Sequence, residues 1–209
     1  MSELELFLYL APIIVGSLVL HELAHALVAT RLGDPTPRDH GRLTLNPLVH
    51  LDPIGTAMFA ITFFLSSFIF GWARPVLVNP SYFRRPQQQM ALVAAAGPAT
   101  NFVIAVICAA AVIHAGADLG FDVVRVLDAT YQVNLALGLF NLLPVPPLDG
   151  SRIVGAFMSD ATYERWSALD QYGMLILFGV IVFFREEFAE LFSGAYDEST
   201  DVIRTLVGG

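Results

Sequence analysis

Long apolar runs separated by short polar stretches dominate the pattern of this chain. A helix at a water boundary shows polar residues along one face, whereas these runs are apolar all round, as in helices surrounded by lipid or protein. Five such segments stand out, at residues 6–30, 53–73, 87–117, 129–148 and 171–184. The pattern predicts an all-α polytopic membrane protein with about five apolar segments.

The lengths of these segments suit a bilayer. Residues 6–30 would span roughly 37 Å as a helix, enough to cross a hydrocarbon core of about 30 Å. Residues 171–184 would span only roughly 21 Å. We therefore expect this last helix to extend toward Trp166 or to lie in thinned membrane.

Composition supports the same class of protein. Of the 209 residues, 56% are hydrophobic and 14% are charged, whereas soluble domains carry about 25% charged residues. The formal net charge of -8 argues against nucleic-acid binding. Because the apolar segments leave no room for a separate soluble domain, we predict one integral-membrane domain over residues 1–185. An acidic tail follows at 186–209, and it is either flexible or interfacial.

Arginines mark both ends of the second segment. Cytoplasmic loops carry an excess of basic residues, so the first segment should end, and the third begin, on the inside. The arginines concerned are Arg31, Arg38, Arg42, Arg74, Arg84 and Arg85. Residues 53–73 thus have inside-type flanks at both ends, although a single crossing would separate them. We expect a hairpin or re-entrant element here, or a chain that dips back into the membrane as far as Val78.

The first apolar segment contains the sequence His21-Glu22-Leu23-Ala24-His25. Ionisable side chains at membrane depth are costly and usually mark a functional site. A helix places both histidines on one face, where they can bind one metal ion, with the glutamate in the position of a general base. In a soluble helix the same letters often form an ordinary exposed face. In lipid the three groups need partners, which a divalent cation would supply.

A catalytic zinc site has three protein ligands and one open position for water, so two histidines require a third ligand. The candidates are Asp149, Asp52, His50 and His40. Asp149 is favoured because the proline-rich stretch from Asn141 to Gly150 is too patterned for a simple loop. The alternative is an ordinary turn at Asp149-Gly150 after a helix end.

The prolines before Asp149 also bear on the location of the site. Pro144, Pro146 and Pro147 would break a helix at membrane depth, which is tolerated where the chain lines a water-filled cavity. His21 would lie roughly 14 Å below the surface on the arginine-rich side. We therefore place the active site toward the cytoplasmic side.

Three motifs follow one another in a fixed order along the chain. They are the His21-to-His25 motif, Gly97-Pro98-Ala99-Thr100-Asn101, and the pattern Asn141-x-x-Pro144…Asp149-Gly150. In this order they resemble the site-2 protease family of intramembrane zinc metalloproteases. Stretches at 33–35, 45–55 and 71–76 resemble its compact bacterial and archaeal branch, which lacks a PDZ domain. The resemblance covers residues 10–160.

This resemblance implies a zinc ion bound by His21, His25 and Asp149. Glu22 would activate the bound water and later protonate the leaving amine. Asn141 would bind the substrate backbone or the developing oxyanion, a role that suits an amide donor. Asn101 would steady the site from behind its ligands or, equally, form an ordinary interhelical hydrogen bond.

His50 and Asp52 stand at a membrane boundary before the second segment. We expect Asp52 to cap a helix that begins at Pro53. His50 stays open as a residue that gates the substrate or supports the site. Because a substrate helix must unwind before cleavage, we also expect residues 34–52, with Thr44 and Leu45, to form a short extended or β-like loop that offers an edge to it.

These observations predict an intramembrane zinc endopeptidase that cuts in or near transmembrane segments of other proteins. Its partners would be those membrane-protein substrates and the lipid bilayer, its location a prokaryotic cell membrane, and its oligomeric state is open. The alternative is a non-proteolytic membrane metalloprotein that binds helices or metal, which the presence of Glu22 disfavours. A transporter is disfavoured because no internal repeat is evident.

Overall fold

The computed structural model describes residues 2–65 and 70–208, and it confirms the predicted all-α class. In this part of the chain the strand-like pairing is one isolated bridge between Leu51 and Ala73. Residues 66–69, which fall in the predicted second segment, lie outside the described residues. The helices are α1 Glu3–Arg31, α2 Thr36–Asp39, α3 Pro53–Leu65, α4 Pro86–Ala115, α5 Phe121–Asn141, α6 Asp149–Gly155, α7 Asp160–Ser167, α8 Gly173–Phe183 and α9 Arg185–Leu206.

Three helical stretches of the described residues are long and apolar enough to cross a membrane: α1, α4 and the run Asp160–Phe183. The last of these extends past Trp166, as its short apolar segment requires. By contrast, α3 has 13 residues, which correspond to roughly 20 Å. Charged residues lie near the beginning of α5, at Asp122, Arg125 and Asp128. The predicted five membrane segments are therefore not confirmed, because the apolar stretches of the sequence do not coincide with the helices of the structure.

Helix α4 packs against α1, α5 and α6. Small residues along it let the neighbouring backbones approach closely. Two apolar clusters hold these helices together. One consists of Ala29, Phe83 and Val93, and the other of Ala105, Leu135 and Ile203. We refer to α1, α4 and α5 as the three-helix core.

The second apolar segment folds back on itself. Helix α3 is followed by a non-helical return segment, residues 70–79, and we call the two together the hairpin. Thr62 Oγ1 accepts the Phe70 N–H at 2.9 Å. The return segment passes close to Gly55. A Cβ at this position would overlap the carbonyl oxygen of Trp72. The return segment therefore packs directly on α3.

The two ends of the second apolar segment lie side by side. The Arg74 N–H donates to the His50 carbonyl oxygen at 2.7 Å, and Leu51 pairs antiparallel with Ala73. Both arginine-rich flanks of the second segment are thus brought together. The described residues show that the chain returns along α3. Whether it does so as a hairpin, as a re-entrant element or as a chain that dips back as far as Val78 stays a prediction.

The predicted β-like loop after α1 is not confirmed. Residues 34–52 contain α2 and a 3-10 turn at Pro47–Val49 instead. Prolines in this stretch fix the backbone and lack the N–H donors that a strand ladder needs. Arg42 is buried, and its guanidinium donates to the carbonyl oxygens of Val49 at 2.5 Å and Arg74 at 3.2 Å. The loop is therefore tied to the return segment through one side chain.

Asp52 caps helix α3, as predicted. Its Oδ1 accepts the Gly55 N–H at 2.8 Å, and Pro53 is the first helical residue. This satisfies one of the backbone donors that every helix leaves unpaired at its beginning.

The acidic tail is an ordered helix, α9. Ile203 is buried between α4 and α5. Tyr131 donates to Thr200 Oγ1 at 2.9 Å, and His114 Nε2 donates to the Val207 carbonyl oxygen at 2.7 Å. The flexible alternative for residues 186–209 is therefore wrong for the described part, because an amphipathic helix finds an apolar partner in α4 and α5. The division into a domain and a tail stays a prediction.

Candidate active site

The two histidines of α1 lie side by side in the three-helix core. They are one helical turn apart, and the side chains of both are buried. Their Nε2 atoms approach to 3.0 Å, with the rings nearly perpendicular. The helical spacing seen in the sequence thus produces one paired site.

Asp149 approaches this pair from α6. It is the first residue of α6, and its Oδ2 lies 3.2 Å from His21 Nε2 and 3.3 Å from His25 Nε2. The chain turns sharply between α5 and α6. Gly150 is packed so tightly on the backbone of Leu142 that a Cβ would overlap its carbonyl oxygen. The glycine after the aspartate therefore allows α6 to begin next to the histidines.

Hydrogen bonds on the far side of each ring determine what the ring presents to Asp149. His25 Nδ1 lies 2.7 Å from the Val93 carbonyl oxygen, and His21 Nδ1 lies 2.6 Å from Asn101 Oδ1. Oxygens of this kind only accept, so both Nδ1 atoms donate and, in the neutral rings that bind a metal, both Nε2 atoms carry lone pairs.

Three acceptor atoms therefore converge on one point. Among the described residues, Asp149 Oδ2 is buried and has no hydrogen-bond partner. It faces two imidazole lone pairs, and the three atoms lie within 4.8 Å of one another. A metal cation between them would satisfy all three acceptors at once. Two nitrogens and one carboxylate oxygen suit zinc, with a fourth position left for water.

Gly97 of α4 lies against the Nε2 edges of the two rings. A Cβ at this position would lie 2.5 Å from His25 Nε2 and 2.6 Å from His21 Nε2. The glycine of the Gly-Pro-x-x-Asn element thus leaves the space that the two imidazoles occupy. The same element carries Asn101 one helical turn further on.

Glu22 is half-buried beside the histidines and is bound by the hairpin. Its Oε2 accepts the Val76 N–H at 3.0 Å. A carboxylate that accepts one backbone N–H has a fixed orientation but keeps acceptor capacity for a further proton donor. The arrangement can therefore hold a base next to a metal-bound reactant.

Comparison with known proteins identifies the family. The sequence profile of Peptidase family M50 matches residues 113–184. The chain is 39% identical to YwhC of Bacillus subtilis over 186 residues, which is 86% of this chain and 82% of YwhC. The chain belongs to peptidase family M50, the site-2 protease family.

Other M50 relatives are longer than this chain. Identity to Rip2 of Mycolicibacterium smegmatis is 30% over 177 residues, 79% of this chain and 63% of Rip2. Identity to Rip3 of Mycobacterium tuberculosis is 32% over 149 residues, 71% of this chain but 30% of Rip3. YwhC, Rip2 and Rip3 are all named as zinc metalloproteases. No solved structure matches the chain.

Family membership makes this chain a zinc metalloprotease and an integral membrane protein. The predicted zinc cofactor is thus confirmed. The His21, His25 and Asp149 cluster is the group of potential ligands that the described residues bring together. Its donor set fits zinc, as argued above from the converging acceptors.

Other residues singled out in the sequence lie elsewhere. Asn141 is the last residue of α5, and its Nδ2 donates to the Leu137 carbonyl oxygen at 3.0 Å. His50 is buried in the loop before α3, where Nε2 donates to the Thr44 carbonyl oxygen at 2.9 Å. His40 donates to its own short helix at Thr36. His50 and His40 therefore do not join the ligand cluster.

Several contacts around the M50 site were not predicted from the sequence. Two are backbone groups, the Val93 carbonyl and the Val76 N–H, which leave no trace in a side-chain pattern. Two are buried side chains, Ser17 and Asn134. A polar side chain in the middle of an apolar segment is the signal that could have found these two.

Proposed function

We propose that this chain is an intramembrane zinc endopeptidase that hydrolyses peptide bonds in or near transmembrane segments of membrane proteins. One observation carries the proposal. Three potential ligand atoms, two from α1 and one from α6, converge beside Glu22, and α1 is long enough to cross a bilayer. A hydrolytic centre at that depth meets substrate segments that soluble proteases do not reach. The site would open toward the cytoplasmic side, where the arginine-rich loops lie, in a prokaryotic cell membrane.

In this proposal His21, His25 and Asp149 hold the zinc ion. Bound zinc would lower the pKa of a water molecule and polarise the scissile carbonyl. Glu22 would accept a proton from the attacking water and deliver it to the leaving amine. The Val76 N–H fixes one carboxylate oxygen, so the other would face the reactants.

Asn141 is proposed to contact the substrate. Its amide now donates to the Leu137 carbonyl oxygen within α5, close to the turn that leads to Asp149. Released from that partner, the amide could donate to the substrate carbonyl as negative charge develops there. His50 is proposed to act only through the loop that Arg42 ties to the hairpin.

The test is zinc content together with cleavage of a transmembrane peptide in detergent, comparing the unmodified protein with Glu22→Gln. We expect Glu22→Gln to retain stoichiometric zinc and to lose cleavage by a factor of roughly 100 to 10,000, the usual contribution of a general base. Glu3→Gln is the matched control, because Glu3 is an exposed carboxylate on the same helix. Asp149→Ala should weaken zinc binding itself.

Undiminished cleavage by Glu22→Gln would overturn the role of this residue as the base. Zinc binding without cleavage of any transmembrane peptide would favour the alternative, a non-proteolytic metalloprotein. Absence of zinc from the unmodified protein would refute the proposed ligand set.

A further inference from the structure

A chain of buried polar side chains runs away from the proposed zinc site through all three core helices. His21 Nδ1 donates to Asn101 Oδ1 at 2.6 Å, and Asn101 Nδ2 donates to Asn134 Oδ1 at 2.8 Å. Asn134 Nδ2 donates to Ser17 Oγ at 2.8 Å and to the Thr130 carbonyl oxygen at 2.9 Å. Ser17 Oγ donates to the Ile13 carbonyl oxygen at 2.8 Å.

We propose that Asn134, backed by Ser17, is a positioning residue that keeps the Nε2 atom of His21 free for the metal. Asn134 does not touch His21; it acts by fixing which end of the Asn101 amide faces the ring. The proposal rests on the zinc site put forward above.

The amide of Asn101 has two ends with opposite properties, because its oxygen accepts and its NH2 group donates. With Oδ1 toward the ring, His21 must carry its proton on Nδ1, and Nε2 presents a lone pair to the metal. With the amide turned over, its NH2 group would face Nδ1, and the neutral ring would move its proton to Nε2. That tautomer cannot bind a metal through Nε2.

Asn134 prevents the turned-over state. If the Asn101 amide turned over, its oxygen would face Asn134 Oδ1, and two acceptors would stand opposite each other. Asn134 cannot turn over in response, because its NH2 group is held by the Thr130 carbonyl and by Ser17 Oγ. The Ser17 proton is itself committed to the Ile13 carbonyl. Every donor in this series of hydrogen bonds therefore points away from His21, and the last acceptor is the backbone carbonyl of Ile13.

Burial fixes the direction of these hydrogen bonds. Asn101 and Asn134 are both 0% exposed, and Ser17 is 4% exposed. Bulk water does not reach these amides to replace a lost partner, so the orientation of one dictates that of the next.

The experiment measures zinc affinity by competition with a chelator, and the tautomer of His21 by 15N NMR of the metal-free protein at alkaline pH. We expect Asn134→Leu to weaken zinc binding at least tenfold, as loss of an outer partner of a metal ligand typically does. In this variant the metal-free His21 ring should populate the Nε2–H form. The matched control is Thr100→Val, because Thr100 neighbours Asn101 and its hydroxyl donates within its own helix to the Ala96 carbonyl oxygen.

A conservative variant separates positioning from packing. Asn134→Asp, protonated in this buried position, keeps an oxygen that accepts from Asn101 Nδ2 and an O–H donor for the Thr130 carbonyl, so its zinc affinity should stay within about threefold of the unmodified protein. Ser17→Ala, a smaller change that is expected to fold if Asn134→Leu does not, should weaken zinc binding several-fold. The proposal is overturned if these variants keep normal affinity and His21 stays entirely in the Nδ1–H form. Failure of the unmodified protein to bind zinc would instead refute the proposed site.

Discussion

The three-helix core and the hairpin are held in place in different ways. In the core, the rings of His21 and His25 are buried, and each is fixed by a hydrogen bond to α4. The hairpin exposes much of its apolar surface, with Ile54 67% and Leu65 81% exposed. The proposed metal ligands thus depend on buried contacts, whereas the proposed base depends on an element at the edge of the molecule.

A few polar ties join the hairpin to the rest of the protein. Val76 donates to Glu22 at 3.0 Å, and Asn79 N–H donates to Asp34 Oδ2 at 2.7 Å. The guanidinium of Arg42 provides a third tie through the carbonyl of Arg74. Near the other end of α3, several phenylalanines pack against Phe7 of α1. This difference suggests that zinc binding and cleavage are separable by mutation.

Gly97→Ala is the most severe test of the three-helix core. The added Cβ would lie 2.5 Å from His25 Nε2, and the rings cannot retreat without breaking their bonds to Asn101 and Val93. We expect zinc affinity to fall by more than about 100-fold, beyond the usual cost of losing an outer partner of a ligand. Cleavage should be lost with it, and chelator competition would measure the change.

Gly16→Ala is the matched control for this substitution. Gly16 lies on α1, and a Cβ there would meet no atom within 4 Å. Its zinc content should be unchanged, and its helix should be slightly more stable because alanine favours helices over glycine. Normal zinc affinity in Gly97→Ala would show that the ligand cluster is looser than these contacts indicate.

The hairpin side is tested by Gly55→Ala. A Cβ at this position would overlap the carbonyl oxygen of Trp72 and push the return segment away from α3. Val76 lies four residues after Trp72 in the return segment, so the hydrogen bond from its N–H to Glu22 should lengthen or break. We expect cleavage to fall by about 10- to 100-fold, as a misplaced catalytic group commonly causes, while zinc affinity stays within about twofold.

The control here is Gly194→Ala in α9, where a Cβ would meet nothing within 4 Å. If Gly55→Ala lost zinc and cleavage together, the hairpin would have to support the ligands as well as the base. That result would remove the distinction between the two regions.

The same two regions differ in how well the sequence predicts them. Core residues could be found because their chemistry is carried by side chains at fixed helical spacing, as in His21 and His25. The sequence also singled out Asn101, but not the partner that orients it. Asn134 stands out as a polar residue in an apolar run, but nothing local shows which residue it contacts. The direction of a hydrogen-bond chain is a property of three helices together.

The hairpin was harder to predict from the sequence. Arginines at both ends indicated that the chain returns, and Asp52 before Pro53 indicated a cap. The contact between Val76 and Glu22 joins residues 54 positions apart through a backbone N–H. No side-chain pattern records such a contact. The lengths of the apolar runs likewise predicted five segments, because such lengths do not show where a helix ends.

The smallest expected effect concerns the cap of α3. Asp52→Ala removes the acceptor of the Gly55 N–H and should lower the free energy of unfolding by about 1 kcal/mol. Asp52→Asn keeps a capping oxygen and should be nearly neutral. Thermal unfolding in detergent would measure both, beside zinc affinity and cleavage. If Asp52 only caps α3, zinc affinity should be unchanged and cleavage should fall no more than the stability loss explains. A large loss of cleavage in both variants would instead mean that the Asp52 carboxylate contacts the substrate as it enters beside the hairpin.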